Sequence, residues 1–164
     1  MKALGFIGFR VDDRMIHGIV ATQWVPNLKA TRAMVIDDEA STNDIMRSSM
    51  KMATPAGVAL SVIDHTKAVT NIGNNKYANQ RVFCVFKTVE AAYELFKAGV
   101  EIPHLNLGDV TQNTGETTVL AKTVRVNPEE KAMLKEMRDA GVKITAQFTR
   151  VSYTHLTLPT IRLV

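Results

Sequence analysis

Short apolar runs alternate along the chain with stretches in which apolar residues recur every three or four positions. The runs predict strands over residues 3–9, 33–36, 58–63, 82–86, 102–107, 123–126 and 142–147. Several are continuous, "RVFCVF" among them, as strands covered on both faces are. Between them the spacing predicts helices. Ile16, Val20 and Trp24 share one face of the first. Ile45, Ser49 and Met52 share a face of the second, which stops before Pro55. Thr88 caps a third with Ala92, Leu95 and Phe96 inward and Gly99 at its end. "NPEEKAMLKEMRDAG" carries the fullest set of end signals: Asn127 as N-cap, Pro128 in the first turn, Glu130 completing a capping box and Gly141 as the stop.

Strand–helix alternation of this kind predicts an α/β fold: one open, mainly parallel twisted sheet with helices on both faces. Such sheets bind ligands beyond the carboxyl ends of the strands, where the strand order reverses. The loop after the first strand belongs there, and it reads "FRVDDRMIHGIV", residues 9–20. A connection that only joins two elements needs far less charge.

The residue types in that loop suit phosphoryl transfer. His17 stands at the start of the first helix, and neutral imidazole is a good nucleophile near pH 7. Attack on phosphorus builds charge on the equatorial oxygens, which Arg10 and Arg14 can meet in fork geometry. Free N–H groups at the helix start add an anion site. Asp12 or Asp13 can bond one imidazole nitrogen, fix the tautomer and leave the other to react. Gly18 lets a phosphate or a bulky partner approach the backbone. The plainer reading is a charged loop that only caps a helix around a structural histidine.

Composition narrows the class. At 164 residues the chain is one domain with room for a real core. The net charge of +4 allows an acidic or phosphorylated partner, but the basic residues are scattered, which argues against nucleic acid. The one cysteine, Cys84, sits in an apolar run and reads as a small buried hydrophobe. No apolar stretch approaches the ~20 residues that span a bilayer, and no signal peptide is recognisable. A cytoplasmic protein without metal or cofactor is the expectation.

"RVDDRMIHGIVATQW" resembles the signature loop of the IIB subunit of the mannose/fructose/sorbose class of bacterial sugar phosphotransferase systems. "VIDDEAS", "VFKTVEAAYELFKAGVEIPHLNLGD" and "VNPEEKAMLKEMRDAGVKITAQ" resemble later segments of the same family, so the likeness runs over about residues 3–148. Ile19 departs from it, since the family usually has Gln there. The resemblance implies that His17 accepts a phosphoryl group from the phosphohistidine of a IIA domain. It then implies delivery to a sugar presented by a membrane IIC/IID complex, with the chain peripheral to that permease and a homodimer allowed. It also implies that Arg10 and Arg14 hold the phosphoryl oxygens and that Asp13 orients the imidazole. Thr66 matches a position where the family often has a hydroxyl near the phosphate; as a plain residue it reads equally as an N-cap. Gly108 and Asp109 either line the site or make a turn.

The rival expectation is a receiver-like aspartyl-phosphate domain, with Asp12 and Asp13 on magnesium, Asp64 as acceptor and Thr88 beside it. It leaves Arg10, Arg14 and His17 unexplained. The resemblance fades near Phe148, and "VSYTHLTLPTIRLV" is similar to translated sequencing-adaptor sequence. The expected organisation is therefore a IIB domain over residues 1–150, truncated at its C-terminus, with a non-native tail over 151–164.

Overall fold

The computed structural model describes residues 1–113 and 115–146. The six parallel strands are β1 (Phe6–Asp12), β2 (Arg32–Ile36), β3 (Ala59–Ile63), β4 (Val82–Phe86), β5 (His104–Asp109) and β8 (Lys143–Ala146). They form one sheet in the order β3-β2-β4-β1-β5-β8. Two further short strands, β6 (Thr118–Ala121) and β7 (Val124–Val126), pair antiparallel beside it.

Alternation along the strands divides the core between the two faces. Phe9 and Val11 of β1, with Cys84 and Phe86 of β4 and Leu105 and Leu107 of β5, point one way. That face is covered by α4 (His65–Gly73), α5 (Val89–Lys97) and α6 (Pro128–Asp139) through Ile72, Leu95, Leu134 and Met137. On the other face, Phe83 and Val85 of β4 and Ala33 and Val35 of β2 meet Ile16, Val20 and Trp24. The covering elements there are a π-helical segment, Val20–Trp24, a short turn α1 (Val25–Asn27), α2 (Asp38–Ser41) and α3 (Asp44–Ala53).

The chain leaves β1 across one face to reach β2, and leaves β4 across the opposite face to reach β5. These connections diverge at the carboxyl end of β1, which lies between β4 and β5. That is the crevice where an open α/β sheet binds its ligand.

Helix ends follow the sequence signals. Asn127 accepts from the Glu130 N–H at 2.7 Å and Glu130 returns a bond to the Asn127 N–H at 3.0 Å. Thr88 caps α5, and Gly141 takes the left-handed conformation after α6 at φ 106°.

Three expectations are corrected. The first strand runs from Phe6 to Asp12, not 3–9. Gly5 begins it with a turn at φ 88°, and its missing Cβ leaves room for the Tyr77 carbonyl. The strand continues through charge because Arg10 and Asp12 neutralise each other inside it. The run 123–126 belongs to the β6–β7 pair instead of the main sheet, and β6, at four residues, is too short to read as a strand. In α3 the face carrying Ile45 and Met52 points outward, at 81% and 88% exposure, while Met50 is buried. Gln147 and the expected tail, 151–164, lie outside the described residues.

Candidate active site

Residues 10 and 12 of β1 point to the same face. Both are fully buried, at 0% exposure. A buried charge is tolerated only when paired and hydrogen-bonded, and here the two satisfy each other. The Arg10 Nε and Nη2 donate to Asp12 Oδ2 at 3.3 and 3.1 Å. Arg10 Nη1 donates to Asn106 Oδ1 of β5 at 2.7 Å. The guanidinium lies flat against Gly108, where a Cβ would fall 1.9 Å from Cζ. Its other side stacks on Trp24, 4.6 Å from the ring centroid. Burial pulls the Arg10 pKa down from its ordinary value, and the Asp12 carboxylate opposes that shift.

Trp24 reaches this position from the π-helical segment. Pro26 has no N–H to offer the Thr22 carbonyl, and before it the helix widens, with Val25 N–H donating to Val20 O.

Asp12 is the hub of the site. Its Oδ1 accepts the Arg14 N–H at 3.1 Å, and its Oδ2 faces His17 Nε2 at 3.0 Å. Beside a carboxylate Nε2 is the protonated nitrogen, which leaves the lone pair on Nδ1. The backbone between them is a tight turn: Met15 N–H donates to Asp12 O, and Met15 is held at φ 58°. A non-glycine residue there stores strain, as functional loops often do. His17 then opens the helix, its carbonyl accepting the Ala21 N–H at 2.8 Å.

Arg14 extends outward with its side chain 51% exposed, its Nε 3.2 Å from Asp109 Oδ2. Asp109 is held above the ordinary carboxylate range, first by burial and then by the charges of Asp13 and Asp12, with Arg14 and Thr111 opposing. Asp13 turns toward the segment that follows β5, where Thr111 N–H and Oγ1 donate to its Oδ2 at 2.9 and 3.0 Å. Oxygens of Asp12, Asp13 and Asp109 approach within 4.8 Å of one another. They are the only such metal-capable group among the described residues, but the guanidinium groups of Arg10 and Arg14 already contact Asp12 and Asp109.

The structure thus brings together His17, Asp12, Arg10, Arg14 and Asp109. Gly18 is exposed with open space where a side chain would stand. Three expected roles are corrected. Asp12, not Asp13, holds the imidazole, because Asp12 shares the strand face of Arg10 and Asp13 has the opposite parity. Arg10 has no surface with which to meet a phosphoryl group; it supports Asp12 from behind. Thr66 lies on α4, in the first turn after the edge strand β3, which β2 and β4 separate from β1, and is exposed. It is not the cap either, since Asp64 accepts the Lys67 N–H at 2.7 Å. The same topology undoes the receiver-like rival. Asp64 and Thr88 cap α4 and α5, and β3 is not beside β1. Asn106 and Thr145 were missed, although a polar Asn inside the buried run "HLNLGD" is a visible anomaly.

A family model described as the PTS system sorbose subfamily IIB component matches residues 7–154. The chain belongs to that family. It is 33% identical over 135 residues to the sorbose-specific EIIB component of Lacticaseibacillus casei, covering 82% of each chain. It is 30% identical over 138 residues to the N-acetylgalactosamine-specific phosphotransferase enzyme IIB component 2 of Escherichia coli K12, covering 84% of this chain and 87% of that one. The crystal structure of the IIBSor domain of the sorbose permease from Klebsiella pneumoniae superposes with a TM-score of 0.84 at 26% identity, over 96% of this chain and 93% of that one. That of manxB from Thermoanaerobacter tengcongensis gives 0.83 at 26% identity, over 92% and 91%. This IIB component is therefore a phosphotransferase of a sugar phosphotransferase system, and the His17 loop is read in that light.

Proposed function

We propose that His17 is the phosphoryl acceptor and that Nδ1 is the atom that reacts. The observation that carries this is the Asp12–His17 contact, which occupies Nε2 and leaves Nδ1 without a partner among the described residues. The Nδ1 lone pair attacks phosphorus of the donor, the donor's own N–P bond breaks, and the Nε2 proton stays on the Asp12 hydrogen bond. Arg14, exposed beside the loop, meets the phosphoryl oxygens in fork geometry. The donor is the phosphohistidine of a IIA domain. In support, the chain is 30% identical over 135 residues to the mannose-specific EIIAB component of E. coli K12, spanning 82% of this chain and 42% of that longer protein. In the second step a sugar hydroxyl attacks phosphorus, the N–P bond breaks, an O–P bond forms and the hydroxyl proton is released. The sugar is presented by a membrane IIC/IID permease, on which this chain docks as a peripheral subunit. Among the described residues no helix is long and apolar enough to cross a membrane.

Incubation with a phosphorylated IIA domain tests this reading. The label is expected to need no magnesium, to survive alkali and to be lost in acid. A magnesium-dependent label that alkali removes would contradict it and point to an aspartyl phosphate.

A further inference from the structure

Behind the Arg10–Asp12 pair a buried chain of hydrogen bonds continues across the sheet. Arg10 Nη1 donates to Asn106 Oδ1 at 2.7 Å, Asn106 Nδ2 donates to Thr145 Oγ1 of β8 at 3.3 Å, and Thr145 Oγ1 lies 2.6 Å from His104 Nε2. Asn106 and Thr145 are both buried. All four side chains share the sheet face that carries Trp24. The Arg10 guanidinium fixes the amide orientation, because it can only donate and so takes Oδ1, which turns Nδ2 toward the Thr145 hydroxyl. His104 is held below the ordinary imidazole pKa by burial and by Lys143. It is therefore neutral at pH 7, and Thr145 can donate to it.

We infer that Asn106 is a positioning residue for phosphoryl transfer: through Arg10 it sets how much of the Asp12 carboxylate is left for His17. This rests on His17 being the acceptor. The chemistry follows from sharing. One oxygen, Asp12 Oδ2, serves Arg10 Nε, Arg10 Nη2 and His17 Nε2. A carboxylate facing the imidazole alone favours imidazolium, which is not a nucleophile. The guanidinium offsets part of that charge on the shared oxygen, while the orientation of the imidazole is kept. Asn106 holds the guanidinium without adding charge of its own. A neutral acceptor is what the position requires. A carboxylate there would divide the guanidinium between two anions and leave more of the Asp12 charge facing His17, which favours the imidazolium with a proton taken from solvent. The other charged groups at this end are Asp13 and Arg14 from the loop and Asp109 from β5. They pair with Thr111 and with each other, and Asn106 touches none of them.

The test is the titration of His17, followed by NMR on the unphosphorylated chain, which needs no partner and so stands apart from the acceptor assignment. Asn106→Asp is nearly isosteric and adds one charge. It is expected to raise the His17 pKa by at least half a unit and to slow phosphoryl acceptance at pH 7 about threefold or more. Raising the pH should restore the rate. Asn106→Leu removes the acceptor without adding charge; it is expected to slow acceptance at every pH with no such recovery. A His17 pKa that stays within 0.2 units in Asn106→Asp would overturn the inference. So would failure of both variants to fold, which would assign Asn106 to the core alone.

Discussion

His17 Nε2 sits 3.0 Å from Asp12 Oδ2, although Asp13 is the nearer acid in sequence. Strand parity decides this. Arg10 and Asp12 lie two apart on β1 and share a face, so the carboxylate that neutralises Arg10 is also the one that meets the imidazole.

The first consequence separates the two acids. Asp12→Asn strands a fully buried guanidinium, and breaking a buried pair costs about 3–5 kcal/mol. Asp13→Asn loses part of two hydrogen bonds to Thr111, about 1–2 kcal/mol. Urea unfolding should show the larger loss at Asp12. Phosphoryl acceptance should fall at least tenfold in Asp12→Asn and less than threefold in Asp13→Asn. Equal losses at the two positions would contradict the parity argument.

Parity was not legible before the structure, because the strand was expected to end at Phe9. With Arg10, Asp12 and Asp13 all placed in a loop, the two acids were equivalent, and Arg10 looked as exposed as Arg14. What was legible is the part written in local chemistry. The Asn127–Glu130 capping box, the buried run of β4 and the charged segment around His17 all depend on neighbours in sequence. The role of Asn106 depends on a contact 96 residues away. The outward turn of Ile45 and Met52 depends on which stripe of α3 faces the sheet, and both stripes carry apolar residues.

That turn of α3 is open to a stability test. Met50→Ala should cost about 2–5 kcal/mol, as truncation of a buried Met does. Ile45→Ser and Met52→Gln should each change stability by less than about 0.5 kcal/mol. Thermal melts of the three variants check this, and a large loss at Ile45 would reverse the assigned face.

Arg14 is assigned to the phosphoryl group because it is the exposed guanidinium of the loop. Arg14→Lys keeps the charge and loses the fork. Single-turnover labelling should slow about tenfold or more, equivalent to ~1.4 kcal/mol of transition-state stabilisation. Melting temperature should hardly move, since the Arg14–Asp109 pair is half exposed and such pairs contribute about 0–1 kcal/mol.

Asp109 gives the site a pH signature. Burial, reinforced by Asp13 and Asp12, raises its folded pKa above the unfolded value. The folded state therefore binds more protons in that window. The Asp109 contribution to stability is present below the unfolded pKa and is lost as pH rises through the folded one. Asp109→Asn removes the ionisable group. Relative to the parent chain, it should be more stable at pH 7 than it is at pH 4, even though it weakens the hold on Arg14. Melts at the two pH values check the sign; a variant that gains relative stability at pH 4 instead would contradict it.

The most direct measurement is of the phosphorylated nitrogen itself. With Nε2 held by Asp12, phosphorus–proton correlation NMR of the labelled chain should show a single phosphohistidine at residue 17, linked through Nδ1, and His17→Ala should take up no label. Phosphate on Nε2, or normal labelling of His17→Ala, would contradict the account.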